Sequence, residues 1–269
     1  MKIFFQLLCA AICFASCSTA YNIKGTSDVQ NLDGHILYLK TIIDDNVKNL
    51  DSCDVVHGQF SFKGTIDTVM IASLVVNDES IMPLVIEEGD ITIKFNTAQQ
   101  TSSGTPLNDT LSSFIERYNQ ITNQIADLQH QHDKAIMDGE DMISVTKNIQ
   151  LKYEQLNAEY DKCVTSFIEE NFDNILGPFV FQMATSTMDI PLTNAWIDAL
   201  MSKATDKFKN DRYVKEFMDA AKRNQAIMTG MDEPAPEVPE ATLPETAMPN
   251  ADVPTPNELA KPAEEGSEQ

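Results

Sequence analysis

From Tyr21 to about Phe95 the chain is cut into short apolar runs by glycine, asparagine and aspartate. Asn22-Ile23-Lys24-Gly25 ends on a glycine, and His35-Ile36-Leu37-Tyr38-Leu39 follows the turn pair Asp33-Gly34. Gln59-Phe60-Ser61-Phe62-Lys63-Gly64 follows His57-Gly58 and alternates with the period of two expected of a strand with one wet face. Val69 to Val76 is more continuously apolar, as in a strand covered on both faces. Leu84-Val85-Ile86 and Ile91-Thr92-Ile93-Lys94-Phe95 flank Glu87-Glu88-Gly89-Asp90 and read together as a hairpin. About six or seven such strands predict a β-rich domain over 17–97, a small antiparallel sandwich or open barrel.

The period changes after Thr105-Pro106, where a hydroxyl cap and a proline at the first helical position open a helix. Leu111, Tyr118 and Ile125 recur every seven residues, with Phe114, Ile121, Leu128 and Ala135 three residues on. After Asp138-Gly139 a second series begins: Met142, Ile149, Leu156 and Cys163, with Tyr153, Tyr160 and Phe167 four residues on. Two such seams around one glycine predict an antiparallel helical hairpin over 106–172, each arm roughly 45 Å long at 1.5 Å per residue. Shorter helices are expected near 178–187, 192–203 and 211–228, completing a helical region over 98–230. The fold class is therefore α+β.

Composition adds a location. The 269 residues carry a formal charge of −22, of which −9 falls in 231–269 and −14 in 17–230. A chain of this sign repels phosphate backbones, so nucleic acid is excluded as a partner. The stretch 231–269 is rich in proline and glutamate and poor in large apolar residues, and disorder is expected there. At the other end, Lys2 precedes an apolar run from Ile3 to Ala15 that is too short to span a bilayer and fits a signal peptide over 1–16. Phe14-Ala15-Ser16-Cys17 looks like a bacterial lipobox, with small residues before the cysteine whose thiol receives a diacylglyceryl group. Two or three acyl chains at ~0.8 kcal/mol per buried CH₂ make a stable membrane anchor. The expectation is a cell-envelope lipoprotein lipidated at Cys17. The segment Ser18-Thr19-Ala20-Tyr21 lacks early acidic residues, which favours a periplasm-facing position on the outer or inner membrane.

Several motifs together carry a family resemblance. They are Tyr21-Asn22-Ile23-Lys24-Gly25, Asp33-Gly34 before Leu37-Tyr38-Leu39, and Asp51-Ser52 before the segment 58–64. Glu88-Gly89-Asp90-Ile91, the run from Ser103 to Asp109 and the segment 171–181 complete the set. They resemble the N-terminal domain of unknown function, with its following helical region, in Bacteroidetes lipid-anchored thioredoxin-like thiol-disulfide oxidoreductases of the AhpC/TSA type. The resemblance implies an accessory module on an envelope protein. Where it would place the thioredoxin-like domain, the chain enters the proline–glutamate stretch, and that domain is expected to be missing.

Thioredoxin chemistry needs two cysteines two residues apart. Beyond Cys17 only Cys53 and Cys163 follow the leader, 110 positions apart by subtraction. Cys163 falls on the inner seam of the second long helix and reads as a small buried hydrophobe. An alternative joins Cys53 and Cys163 in a structural disulfide, or uses them as redox thiols. His130 and His132 point to different sides of one helix, and His130 with Asp133 supplies only two ligands. Neither Glu87-Glu88-Gly89-Asp90 nor Asp138-Gly139-Glu140-Asp141 has the ligand spacing of a calcium loop. No catalytic, cofactor-binding or metal residue is assigned, and no cofactor is expected. Asp67-Thr68-Val69 and Asp109-Thr110-Leu111 resemble the O-glycosylation acceptor pattern of Bacteroidetes envelope proteins. The reading is a non-catalytic lipid-anchored binding or scaffolding module. Its partner is an unknown envelope protein or small ligand, besides the membrane reached through Cys17. The alternative is a thiol-disulfide accessory protein or enzyme using Cys53 and Cys163.

Overall fold

A computed structural model describes residues 19–29, 32–43, 46–96 and 99–230. The leader, Cys17 and the stretch from 231 onward lie outside the described residues. Eight strands are described: β1 (Thr19–Ser27), β2 (Ile36–Ile43), β3 (Asn46–Asp54), β4 (Gln59–Ile66), β5 (Met70–Val76), β6 (Glu79–Ile86), β7 (Gly89–Phe95) and β8 (Gln100–Ser103). They form two four-stranded sheets, ordered β4-β1-β7-β8 and β3-β2-β5-β6. Between the sheets lies a core that includes Ile23, Leu37, Leu39, Phe62, Leu74, Leu84, Ile91 and Ile93. All pairings are antiparallel except β1–β7, which is parallel and joins Tyr21 to Gly89 and Ser27 to Phe95.

The period-two segment 59–64 lies within β4, with Phe60 and Phe62 inward and Ser61 and Lys63 outward. The continuous apolar run becomes β5. Its Ala72 and Leu74 face the sheet core, while Ile71 packs against a second, helical core. Asn77 and Asp78 turn β5 into β6 with φ of 49° and 66°, the left-handed pair a two-residue hairpin loop requires. The expected hairpin at Glu87–Asp90 is not formed. There the chain leaves one sheet and enters the other, because β6 pairs with β5 while β7 pairs with β1 and β8. The turn chemistry was legible, but it does not say which strand the exiting chain will pair with. The β-region also runs past the expected boundary at 97, since Thr92–Phe95 pairs with Gln100–Ser103.

The helical part comprises α1 (Pro106–Asp138), α2 (Met142–Glu170), α3 (Leu176–Thr185), α4 (Ala195–Lys203), α5 (Asp206–Lys209) and α6 (Arg212–Met228). Helices α1 and α2 make the hairpin. Gly139 closes α1 at φ 68°, accepting the left-handed turn at no Cβ penalty, and Asp141 caps α2 through the Ile143 N–H. Helices α3 to α6 fold back on the hairpin base around Phe181, whose ring meets Trp196, Phe208, Tyr213 and Phe217. This helical core also takes in Val85 of β6, so the two parts share one strand pair.

Candidate functional site

The joint between sheet and hairpin is polar and closed. Thr105 occupies the N-cap position of α1, but its side chain makes no cap bond, contrary to expectation. The buried Glu87 carboxylate does that work from a distance: Oε1 accepts the N–H groups of Leu107 at 2.9 Å and Asn108 at 3.2 Å. A carboxylate over the first helical turn also meets the positive end of the helix dipole. Asn108, fully buried, donates from Nδ2 to the Thr105 hydroxyl at 2.8 Å and bonds both backbone groups of Val85. One turn on, Ser112 Oγ donates to the Ser102 carbonyl at 2.5 Å and accepts the Ser102 N–H at 3.0 Å. The hairpin is therefore fixed to the sandwich at two points, not hinged on it.

Toward the base of the hairpin the seam residues meet as the heptads predict, whereas Tyr153, placed on the seam by its spacing, is 45% exposed. Phe114 and Phe167 lie 4.2 Å apart by ring centroid, and Tyr118 and Tyr160 5.5 Å apart. Arg117 and Glu159 pair across the arms. Burial, and then the hydrogen bond with Tyr118, push the Tyr160 phenol well above the ordinary tyrosine range.

The far end differs. Ile136, Met137 and Ile143, on either side of Gly139, are 56%, 82% and 84% exposed. They are apolar residues outside the heptad seam, so the periodicity that marks the seam does not mark them. Asp138, Glu140 and Asp141 lie among them in sequence, so the end combines an apolar surface with negative charge. These three exposed apolar side chains, at the end of the hairpin away from its base, are the candidate surface for an interaction.

The residues singled out from the sequence do not converge. Cys17 is outside the described residues. Cys53 and Cys163 are both free thiols, packed against different cores, so the disulfide considered from the sequence is not made. Both thiols are pushed up by burial; Asp51 and Asp54 add to the effect at Cys53, while Arg117 offsets it in part at Cys163. His130 is exposed, and His132 Nδ1 lies 3.5 Å from Asp133. Among the described residues no three His, Cys, Asp or Glu side chains are grouped to hold a metal ion.

Two hollows open on the surface of the described residues. One, of about 130 Å³, lies beside Tyr160, Val164, Met188 and Trp196, where the indole N–H is held by Thr165 Oγ1 at 2.7 Å. The other is an open groove of about 570 Å³ lined by His35, Ile36, Tyr38, Lys40 and the Asn77-Asp78 turn. Lys40 lies over the Tyr38 ring and pairs with Asp78 at 3.2 Å, so the groove's own charges are already matched.

Residues 21–111 match the family model of a domain of unknown function, DUF4369. The match runs through the sandwich and into α1 as far as Leu111, so it includes Glu87, Thr105 and Asn108 of the joint. No curated protein and no solved structure matches the chain. No helix among the described residues is long and apolar enough to cross a membrane.

Proposed function

We propose that this chain is a non-catalytic binding module of the bacterial cell envelope, anchored by lipid at Cys17, in which a DUF4369-type sandwich holds a helical hairpin out toward a protein partner. The observation that carries the reading is the exposure of Ile136, Met137 and Ile143 at the end of a hairpin whose base is locked by Glu87, Asn108 and Ser112. Burying such side chains on association yields about 25 cal/mol per Å² of apolar area, before the cost of ordering is met. The neighbouring Asp138, Glu140 and Asp141 favour a partner cleft with a basic rim over an anionic lipid surface.

The likeness of this region to the accessory domain of thioredoxin-like oxidoreductases belongs to the same reading. On this reading residues 21–111 are a platform, not a reaction centre. Redox use of Cys53 and Cys163 is the competing function, and their separate packing and raised thiols weigh against it.

Two measurements test the proposal. Mass spectrometry of the mature N-terminus should find a diacylglyceryl-modified Cys17. A photo-crosslinking residue at Met137 or Ile143 in intact producing cells should give a discrete adduct that one at exposed Lys63 on the sandwich does not. An unmodified N-terminus, or identical patterns from both ends of the molecule, would defeat it.

A further inference from the structure

Trp196, the single tryptophan of the chain, lies half-buried at the start of α4 and lines the smaller hollow. Its ring stacks on Phe181 at 6.2 Å and its N–H is taken by Thr165, so it offers the hollow aromatic surface and no free donor. Asp161 is the one charged residue in the lining. A volume of about 130 Å³ takes one apolar group about the size of a benzene ring. The apolar surface continues beyond the hollow. Ile190, two residues past Met188, is 57% exposed. Pro191 accepts a hydrogen bond from Asn224 Nδ2 at 2.9 Å, and the Thr193 hydroxyl donates to Gln225 at 3.0 Å. Met228, one turn beyond Asn224 on the same face of α6, is 72% exposed. These bonds bring the last turn of α6, and Gly230 after it, to the loop that carries Met188 and Ile190.

Beyond Gly230 the sequence holds a repeat. Val238-Pro239, Leu243-Pro244, Met248-Pro249 and Val253-Pro254 recur every five residues. A proline restricts the residue before it to extended backbone, so an apolar–proline step gives up little conformational entropy on docking. Proline-rich segments are recognised by aromatic-lined notches, and Trp196 with Tyr160 makes one. Five residues is not a multiple of the three in a polyproline turn, so the steps do not share a face and a notch of this size takes one at a time. Charge favours the chain's own segment as the occupant. Helix α6 carries Arg212, Lys215, Lys222 and Arg223 against Glu216 and Asp219, a surplus of two positive charges facing a stretch of net −9. Asp161 chooses among the four steps. Glu237, Glu245 and Asp252 lie within two residues of Val238, Leu243 and Val253, whereas no carboxylate lies that close to Met248.

We propose that the Met248-Pro249 step docks in the Trp196 hollow of its own chain, with the intervening residues passing over Met228 and Ile190. The methionine thioether suits an aromatic wall. Met248 follows Gly230 by 18 residues (248 − 230), and a chain of that length reaches roughly 20–25 Å even as a flexible coil. The docking is independent of what the hairpin end binds.

The lone tryptophan reports on the hollow directly. The full chain is prepared as wild type, Met248→Ser and Leu243→Ser, with far-UV circular dichroism to show that all three are equally folded. Acrylamide quenching and the emission maximum of Trp196 are then read at several protein concentrations. The expected result is stronger quenching and a red shift in Met248→Ser alone, with wild-type protection unchanged on dilution. Equal quenching in all three chains, or an equal rise in both variants, overturns the proposal. Protection that fades on dilution also overturns it, and assigns the hollow to the tail of a second copy.

Discussion

Asn108 Oδ1 accepts the Val85 N–H at 3.0 Å, and Asn108 Nδ2 donates to the Val85 carbonyl at 2.8 Å, so one side chain pairs with the outer edge of β6 as a further strand would. At Val85 that edge is thus closed by the helix it supports. Asn108→Ala leaves two buried backbone groups of Val85 without partners, at a cost of about 1–3 kcal/mol each when unmet. The expected outcome is a large fall in the urea midpoint, and Asn108→Asp, with a second carboxylate beside Glu87, should do no better. A change below about 0.5 kcal/mol in either variant would show that the joint is not what holds hairpin to sandwich.

Gly25 lies under the Phe60 ring. A Cβ built there falls 1.9 Å from Phe60 Cζ, and Phe60 in turn stacks on Phe95 at 5.7 Å. Gly25→Ala must displace that ring from the sheet core, an overpacking cost of about 1–3 kcal/mol. Thermal unfolding of Gly25→Ala, alone and with Phe60→Leu, checks it: the second change should recover part of the loss.

The seam and the end of the hairpin should respond in opposite ways. Ile121 is completely buried between the arms, and Ile121→Ala is expected to cost about 2–5 kcal/mol. Met137→Ser and Ile143→Ser, both at exposed positions, should stay within about 0.5 kcal/mol of the parent while weakening partner capture. Equal destabilisation in the two groups would mean that the end is packed, not presented.

Both thiols stay protonated at neutral pH, because burial lifts each above the ordinary cysteine value. Alkylation of the folded chain by iodoacetamide should be slower than that of the unfolded chain at about pH 7.5, and should accelerate as pH rises. Fast labelling of either cysteine at neutral pH would restore a redox reading.

Tyr160 gives the alkaline limit. Its folded value is raised, so the stabilisation is fully present below the unfolded tyrosine value of about 10 and is lost as pH climbs through the folded one. Urea midpoints recorded from about pH 8 to about pH 11 should fall toward the alkaline end, and Tyr160→Phe should flatten the curve.

The hairpin was legible in the sequence because its seam repeats over many turns, and a repeated period is hard to mistake. Phe114, Ile121 and Leu128 are buried where the heptads put them. The strands were legible only where one face is apolar. β3 (Asn46–Asp54) is a polar edge strand, and β8 (Gln100–Ser103) is a glutamine and three hydroxyl residues, so neither shows alternation. The parallel β1–β7 pair joins residues far apart in sequence, and no local pattern encodes it. Glu87 reads as a turn residue until the helix it caps, some twenty positions later, is in place. At the hairpin end the same period that exposed the seam hid Ile136, Met137 and Ile143, which belong to no heptad position.

The place of β1 in its sheet has a mechanical meaning. It runs between β4 and β7, bonded along nearly its whole length on both sides. A force applied at its leading end acts parallel to the strand and loads both ladders in shear, so many bonds must yield together instead of unzipping one by one. If the chain hangs from its first residues, it hangs by a strand held on both sides.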